Sequence, residues 1–175
     1  AILELENAMD KLEYNKILVN DNASLLVDRN TNTQYTYMVG LNPTSNTVSE
    51  VEAQLRNKNV QIEITRDGKK LSETDKVGTG CIIKCISAID PSIVYEVATV
   101  ILYGDVNGDG LVDETDMNLI FEDAFDNTEN IKSDSIYYIA ADVSKDGVLD
   151  MFDYFYLDGI ASGNRAFDQT QTLYK

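Results

Sequence analysis

Two twelve-residue stretches carry the residues best suited to chemistry. Asp105-Val106-Asn107-Gly108-Asp109-Gly110-Leu111-Val112-Asp113-Glu114-Thr115-Asp116 aligns without a gap with Asp142-Val143-Ser144-Lys145-Asp146-Gly147-Val148-Leu149-Asp150-Met151-Phe152-Asp153, 37 residues further on, and six of the twelve positions are identical. In both, an oxygen-bearing side chain stands at positions 1, 3, 5, 9 and 12, glycine at 6, and Leu or Val at 7 and 8. That spacing suits a calcium ion, which takes about six to eight oxygens at roughly 2.3–2.6 Å from alternate positions of such a loop. Position 7 contributes its backbone carbonyl, and position 9 often acts through water. The candidate ligands are Asp105, Asn107, Asp109, the carbonyl of Leu111, Asp113 and Asp116 in the first loop. In the second they are Asp142, Ser144, Asp146, the carbonyl of Val148, Asp150 and Asp153. Two calcium ions are expected.

Each following helix is expected to start at the position-12 aspartate, which puts a carboxylate at the positive end of the helix. Both loops carry four carboxylates, but the second has Ser144 in place of Asn107 and sets Lys145 beside the expected ion. The second site is therefore expected to bind more weakly.

Charge and composition narrow the remaining chemistry. The net charge is −16, with 10 basic and 14 acidic side chains in residues 1–103 against 4 and 16 in residues 104–175. A nucleic acid or an anionic membrane would be repelled. A solvated acidic surface is the plain alternative to a cation site, and the in-register repeat argues against it. Histidine is absent, which removes the usual general base, the Ser-His and Cys-His pairs and the commonest zinc ligand. Cys81 and Cys85 lie four residues apart on an expected strand, about 13 Å between Cα atoms, too far for a disulfide. They read as packing thiols.

The elements that must position the loops change character at Gly104. Before it the pattern is β-rich, with strands expected at 24–28, 34–39, 60–65, 69–71, 80–86 and 95–103. A turn is expected at Asn30-Thr31-Asn32, a hairpin turn at Asp67-Gly68, and a helix over 48–57 capped by Asn46 or Thr47. Residues 1–16 read as a helix, a strand or a linker remnant. After Gly104 helices joined by Gly/Asp loops are expected. The fold class is α+β in two modules: a β-rich module over 1–103 with one helix, its first 20 residues helix or linker remnant, and a helical module with two calcium loops over 104–175. No apolar run reaches the ~20 residues of a membrane span, and the N-terminus lacks the stages of a signal peptide. The chain reads as a piece of a longer protein.

The run G-D-V-N-G-D-G-L-V-D-E-T-D-M-N-L-I-F, a linking helix, then A-A-D-V-S-K-D-G-V-L-D-M-F-D-Y-F-Y-L resembles a type I-like dockerin of bacterial cellulosome-type assemblies. Aspartate at position 12 and a strand running straight into the first loop fit that family better than a standard EF-hand. The resemblance covers about residues 104–160 and implies an all-α three-helix module, with helices at about 116–125, 133–140 and 153–161, that binds a β-sandwich cohesin on a scaffolding protein in a calcium-dependent way. By position, the partner-facing residues would be Glu114, Thr115, Phe121 and Glu122 in the first repeat and Met151, Phe152, Asp158 and Gly159 in the second. Because Glu-Thr stands against Met-Phe, one binding orientation is expected to dominate. Met151 and Phe152 are either the hot spot of that face or part of the module's own core. Without calcium the module is expected to unfold. The linker 126–132 is somewhat long for the family.

The β-rich part, through N-T-V-S-E-V-E-A-Q-L, V-Q-I-E-I-T-R-D-G-K-K-L and V-G-T-G-C-I-I-K, resembles the small X modules found before dockerins in gut and rumen Firmicutes. It implies a stabilising neighbour, packed rigidly because Tyr103 leads at once into Gly104 and Asp105. The resemblance implies an extracellular or cell-surface setting in a cellulosome- or amylosome-type complex. The fragment is expected to be non-catalytic and monomeric on its own, with any catalytic domain upstream. An EF-hand-like calcium sensor or buffer without a cohesin partner is the alternative. The tail over 162–175 either folds back, with Phe167 near Tyr103, or stays disordered.

Overall fold

The computed structural model describes residues 15–29, 35–126, 128–162 and 168–169. Nearly all of the expected N-terminal helix, the turn at Asn30-Thr31-Asn32 and the packing of Phe167 lie outside the described residues. In chain order the elements are β1 (Leu26–Arg29), β2 (Thr36–Val39), α1 (Val48–Glu52), β3 (Val60–Arg66), β4 (Lys69–Lys70), β5 (Ile82–Ser87) and β6 (Val94–Val100), followed by α2 (Glu114–Asp126), α3 (Ile136–Ala141) and α4 (Met151–Ala161).

The strands form one mixed sheet in the order β1-β2-β6-β5-β3-β4. Only β2 and β6 run parallel, with Tyr37 opposite Thr99 and Met38 opposite Val100. Asp67 and Gly68 both have positive φ, 51° and 75°, as the tight hairpin turn between β3 and β4 requires.

Side-chain alternation along β2 divides the interior. Met38 points into a core with Ile64, Ile83, Cys85 and Val100, while its neighbours Tyr37 and Val39 join Tyr103, Ile120 and Leu157 in a second core. Successive residues of a strand face opposite sides, so this one strand serves the packing on both faces of the sheet. Ile101 and Tyr103 continue into the second core, and Leu102 into the first. Cys81 and Cys85 are buried free thiols in the first core.

Several expected boundaries move, each for a tertiary reason. The helix expected over 48–57 stops at Glu52. Leu55 instead bridges Val19, and Arg56 N–H donates to the Leu18 carbonyl at 2.9 Å, so the 17–20 segment takes over this backbone. The start of α1 follows expectation: Thr47 caps it, and Glu50 completes a capping box.

The strand expected to reach Tyr103 ends at Val100. Beyond it, side chains replace strand partners. Thr79 Oγ1 donates to the Leu102 carbonyl at 3.0 Å and accepts from Leu102 N–H at 3.1 Å. The Gln169 side chain likewise accepts from Tyr103 N–H and donates to its carbonyl, both at 2.9 Å.

Candidate functional site

The two repeated loops build the same hydrogen-bond scaffold. Asp105 Oδ2 accepts from Gly110 N–H at 3.1 Å, and Asp142 Oδ2 from Gly147 N–H at 2.8 Å. Asp109 Oδ1 accepts from Leu111 N–H at 2.8 Å, and Asp146 Oδ1 from Val148 N–H at 3.0 Å. Asp113 Oδ1 accepts from Thr115 N–H, and Asp150 Oδ1 from Phe152 N–H. Asp116 Oδ2 accepts from Asp113 N–H, and Asp153 Oδ2 from Asp150 N–H.

These last pairs correct the expected helix starts. α2 and α4 begin at position 10 of each loop, Glu114 and Met151, and not at the position-12 aspartate. In α4 the position-9 residue Asp150 is the N-cap, and Asp153 closes a capping box from the third helical position. Aspartate is a strong cap because its carboxylate satisfies N–H groups that have no partner inside the helix.

The loops differ in what covers them. Loop 1 lies against the sheet: Thr79 N–H donates to Asp105 Oδ2 at 2.8 Å, Asn46 Nδ2 to the Gly110 carbonyl at 2.7 Å, and an Arg66 guanidinium nitrogen to the Asp109 carbonyl at 3.1 Å. Gly110 has φ +86°, and a Cβ there would stand 2.8 Å from Lys76 Cβ. In the segment before β5, a Cβ on Gly78 would come within 2.3 Å of Asp105 Oδ2 and 2.5 Å of Gly110 N. The Tyr137 ring of α3 lies over both Gly80 and Gly108. Among the described residues loop 2 is more open: Asp146, Gly147 and Val148 are exposed, and none of those residues stands within 4 Å of a Cβ on Gly147.

Burial dominates the electrostatics. Asp105 and Asp116 are 0% exposed. Burial pushes the Asp105 carboxyl up to about 6, against the lowering effect of the Thr79 and Gly108 N–H groups. Burial raises Asp116 and Asp153 in the same direction. Burial makes these carboxylates costly as anions even with their hydrogen bonds, and a cation beside them would relieve that cost. The donor set, all carboxylate, amide, hydroxyl and carbonyl oxygen, is the kind calcium takes. Among the described residues, however, no three Asp, Glu, Cys or His side chains close on one metal-binding centre. The carboxylates are turned onto the loop N–H groups described above.

Lys145 is within electrostatic reach of Asp142, the first carboxylate of loop 2. Its Nζ donates to the Asp168 carbonyl at 2.6 Å and sits 4.2 Å from the Tyr103 ring centroid. It thereby joins Asp168 to Tyr103, with burial lowering its pKa against the opposing effect of Asp168 and Asp142. Its backbone has φ +63°, at the position that Gly108 fills in loop 1.

The residues named for the partner face sit on α2 and α4 and at their starts. Glu114, Thr115, Glu122 and Asp158 are exposed, Met151 and Gly159 are half-buried, Phe121 is exposed, and Phe152 is 71% exposed. Sequence reasoning missed the other rings of this surface. Phe121 stacks on Phe125 with centroids 5.4 Å apart and meets Tyr154 edge-on at 5.3 Å, and Tyr154 meets Phe155 edge-on at 5.6 Å. The four-residue spacing of Phe121 and Phe125 and the three-residue spacing of Phe152 and Phe155 were the signal available. Asp123 was also missed: it is buried and anchors the 126–132 linker, accepting from Thr128 Oγ1, Asn130 N–H and Ile131 N–H.

A family model described as Dockerin type I domain matches residues 103–158. The match spans both loops and the three helices up to the last turn of α4. Dockerin type I domains are non-catalytic, bind calcium and dock onto cohesins. No curated protein and no solved structure matches the chain.

Proposed function

We propose that the dockerin-matching segment is a calcium-dependent docking module that binds a cohesin on a scaffolding protein, anchoring its parent in an extracellular multi-enzyme complex of the cellulosome or amylosome kind. The observation that carries this reading is the repeated carboxylate-to-amide scaffold. Two loops 37 residues apart end in two helices that present an exposed aromatic face. Asp105, Asn107, Asp109, the Leu111 carbonyl, Asp113 and Asp116 would hold one ion, and Asp142, Ser144, Asp146, the Val148 carbonyl, Asp150 and Asp153 a second. Bound calcium would neutralise carboxylates that otherwise repel one another.

The chain's own residues do the rest. The position-9 and position-12 aspartates fix the starts of α2 and α4, and so the placement of Glu114, Thr115, Phe121 and Glu122 against Met151, Phe152, Asp158 and Gly159. The unlike pairs at positions 10 and 11 favour a single orientation of the partner. The sheet of the first 103 residues, read as an X module, serves as the seat of loop 1 through Thr79, Asn46 and Arg66. No helix among the described residues is long and apolar enough to cross a membrane.

Titration calorimetry of this chain against purified cohesin modules, once in ~1 mM calcium and once in chelator, tests the proposal. Tight binding that disappears with chelator is expected. Calcium uptake with no cohesin bound by any module in the panel would sink it.

A further inference from the structure

We infer that the partner inserts a lysine or arginine side chain into a groove between α2 and α4. This rests on the docking reading above and names the chemistry of its partner. The groove has a volume of about 540 Å³, within the range of ordinary ligand sites. Met117, Tyr154 and Leu157 give it apolar walls, and the carboxylates of Glu114 and Asp158 line it from opposite helices. Among the described residues neither carboxylate has a basic partner, since the ion pairs there are Arg29–Glu96 and Lys84–Glu63.

An apolar channel with carboxylates on both sides suits a side chain with an alkyl stem and a cationic head. Lysine and arginine bury their methylenes against apolar surface while the charge reaches a polar rim. A neutral apolar anchor would leave the two carboxylates partly desolvated without compensation, and an acidic one would be repelled. Tyr154 links the groove to the ring ladder, since it also meets Phe121, which stacks on Phe125. The cationic insertion and an apolar contact on the rings therefore lie side by side. The net charge of −12 over residues 104–175 favours the same sign of partner.

The test uses the full chain in calcium and two probes, n-hexylammonium and 1-hexanol, followed by nuclear magnetic resonance of the Met117, Leu157 and Tyr154 side chains. The ammonium is expected to give saturable shifts at these residues, with affinity about threefold or more above the alcohol. The Glu114→Gln/Asp158→Asn double variant is expected to erase that preference. The same variant should weaken binding of a cohesin that the wild type binds by about tenfold at low salt, and less at about 0.5 M salt. Equal affinity for the two probes, or cohesin binding untouched by the double substitution, overturns the inference. Absence of cohesin binding by the wild type overturns the docking reading instead, whatever the probes show.

Discussion

The backbone N–H of Thr79 donates to Asp105 Oδ2 at 2.8 Å, so the first acidic residue of loop 1 is held from the turn before β5 as well as from its own loop. Loop 1 is therefore built from two parts of the chain that are 26 residues apart. Gly78→Ala tests the consequence. A Cβ within 2.3 Å of that carboxylate and 2.5 Å of Gly110 N must displace one of them, and such overpacking costs about 1–3 kcal/mol. Calcium titration should show a weakened first site and an unchanged second, and thermal melting a lower midpoint. Unaltered binding at both sites would mean that the turn does not shape the loop.

Calcium removal should loosen the helices more than the sheet. Saturation at about a hundred times the dissociation constant contributes about 2.7 kcal/mol per site, or roughly 10–20 °C in the melting midpoint of a small domain. Far-ultraviolet circular dichroism in chelator should lose helical signal first. An unchanged spectrum and midpoint would contradict the reading.

The pH dependence of the metal-free protein follows from burial. The folded pKa of Asp105 lies near 6, above its ordinary value, and Asp116 and Asp153 shift in the same direction. Between the unfolded and folded pKa values the folded state binds more protons. Stability without calcium should then rise as pH falls from about 7 toward 4, by up to about 2–3 kcal/mol from Asp105. Calcium affinity should fall over the same window, because protons compete for the same oxygens. Urea midpoints in chelator at about pH 5 and 7.5 check the sign, and a lower midpoint at pH 5 would refute it.

Phe152→Ala should cost docking about 2 kcal/mol while leaving the melting midpoint within about 1 °C, because the ring is 71% exposed. Loss of binding together with a clear drop in melting temperature would assign the ring to the fold instead.

Much of the site was legible because metal coordination dictates residue type at fixed spacing, and the 37-residue repeat doubles that signal. The helix starts were not, because Asp113 and Asp150 were read as ligands alone and their second role as caps was overlooked. The short α1 was hidden because the competing contact, Leu55 with Val19, comes from far along the chain. The double service of β2 was hidden as well: Tyr37, Met38 and Val39 are all apolar, so no polar residue marks which face is which. The contacts of Lys145 with the Tyr103 ring and the Asp168 carbonyl were hidden too, because both partners lie far from it in sequence.

Gln169→Ala should destabilise the chain by about 1–3 kcal/mol, since it withdraws two buried hydrogen bonds at once. Calorimetric melting is the measurement, and an unchanged midpoint would show that the clamp carries no weight.

That clamp also joins the way in to the way out. Tyr103 leads into the loop-and-helix segment, and Gln169, paired to it edge to edge, closes that segment back on its own starting point. The two ends of the segment meet, yet it is not self-contained: a copy cut at that junction would leave behind Tyr37 and Val39 of its core and the Asn46, Arg66 and Thr79 contacts that hold its first loop.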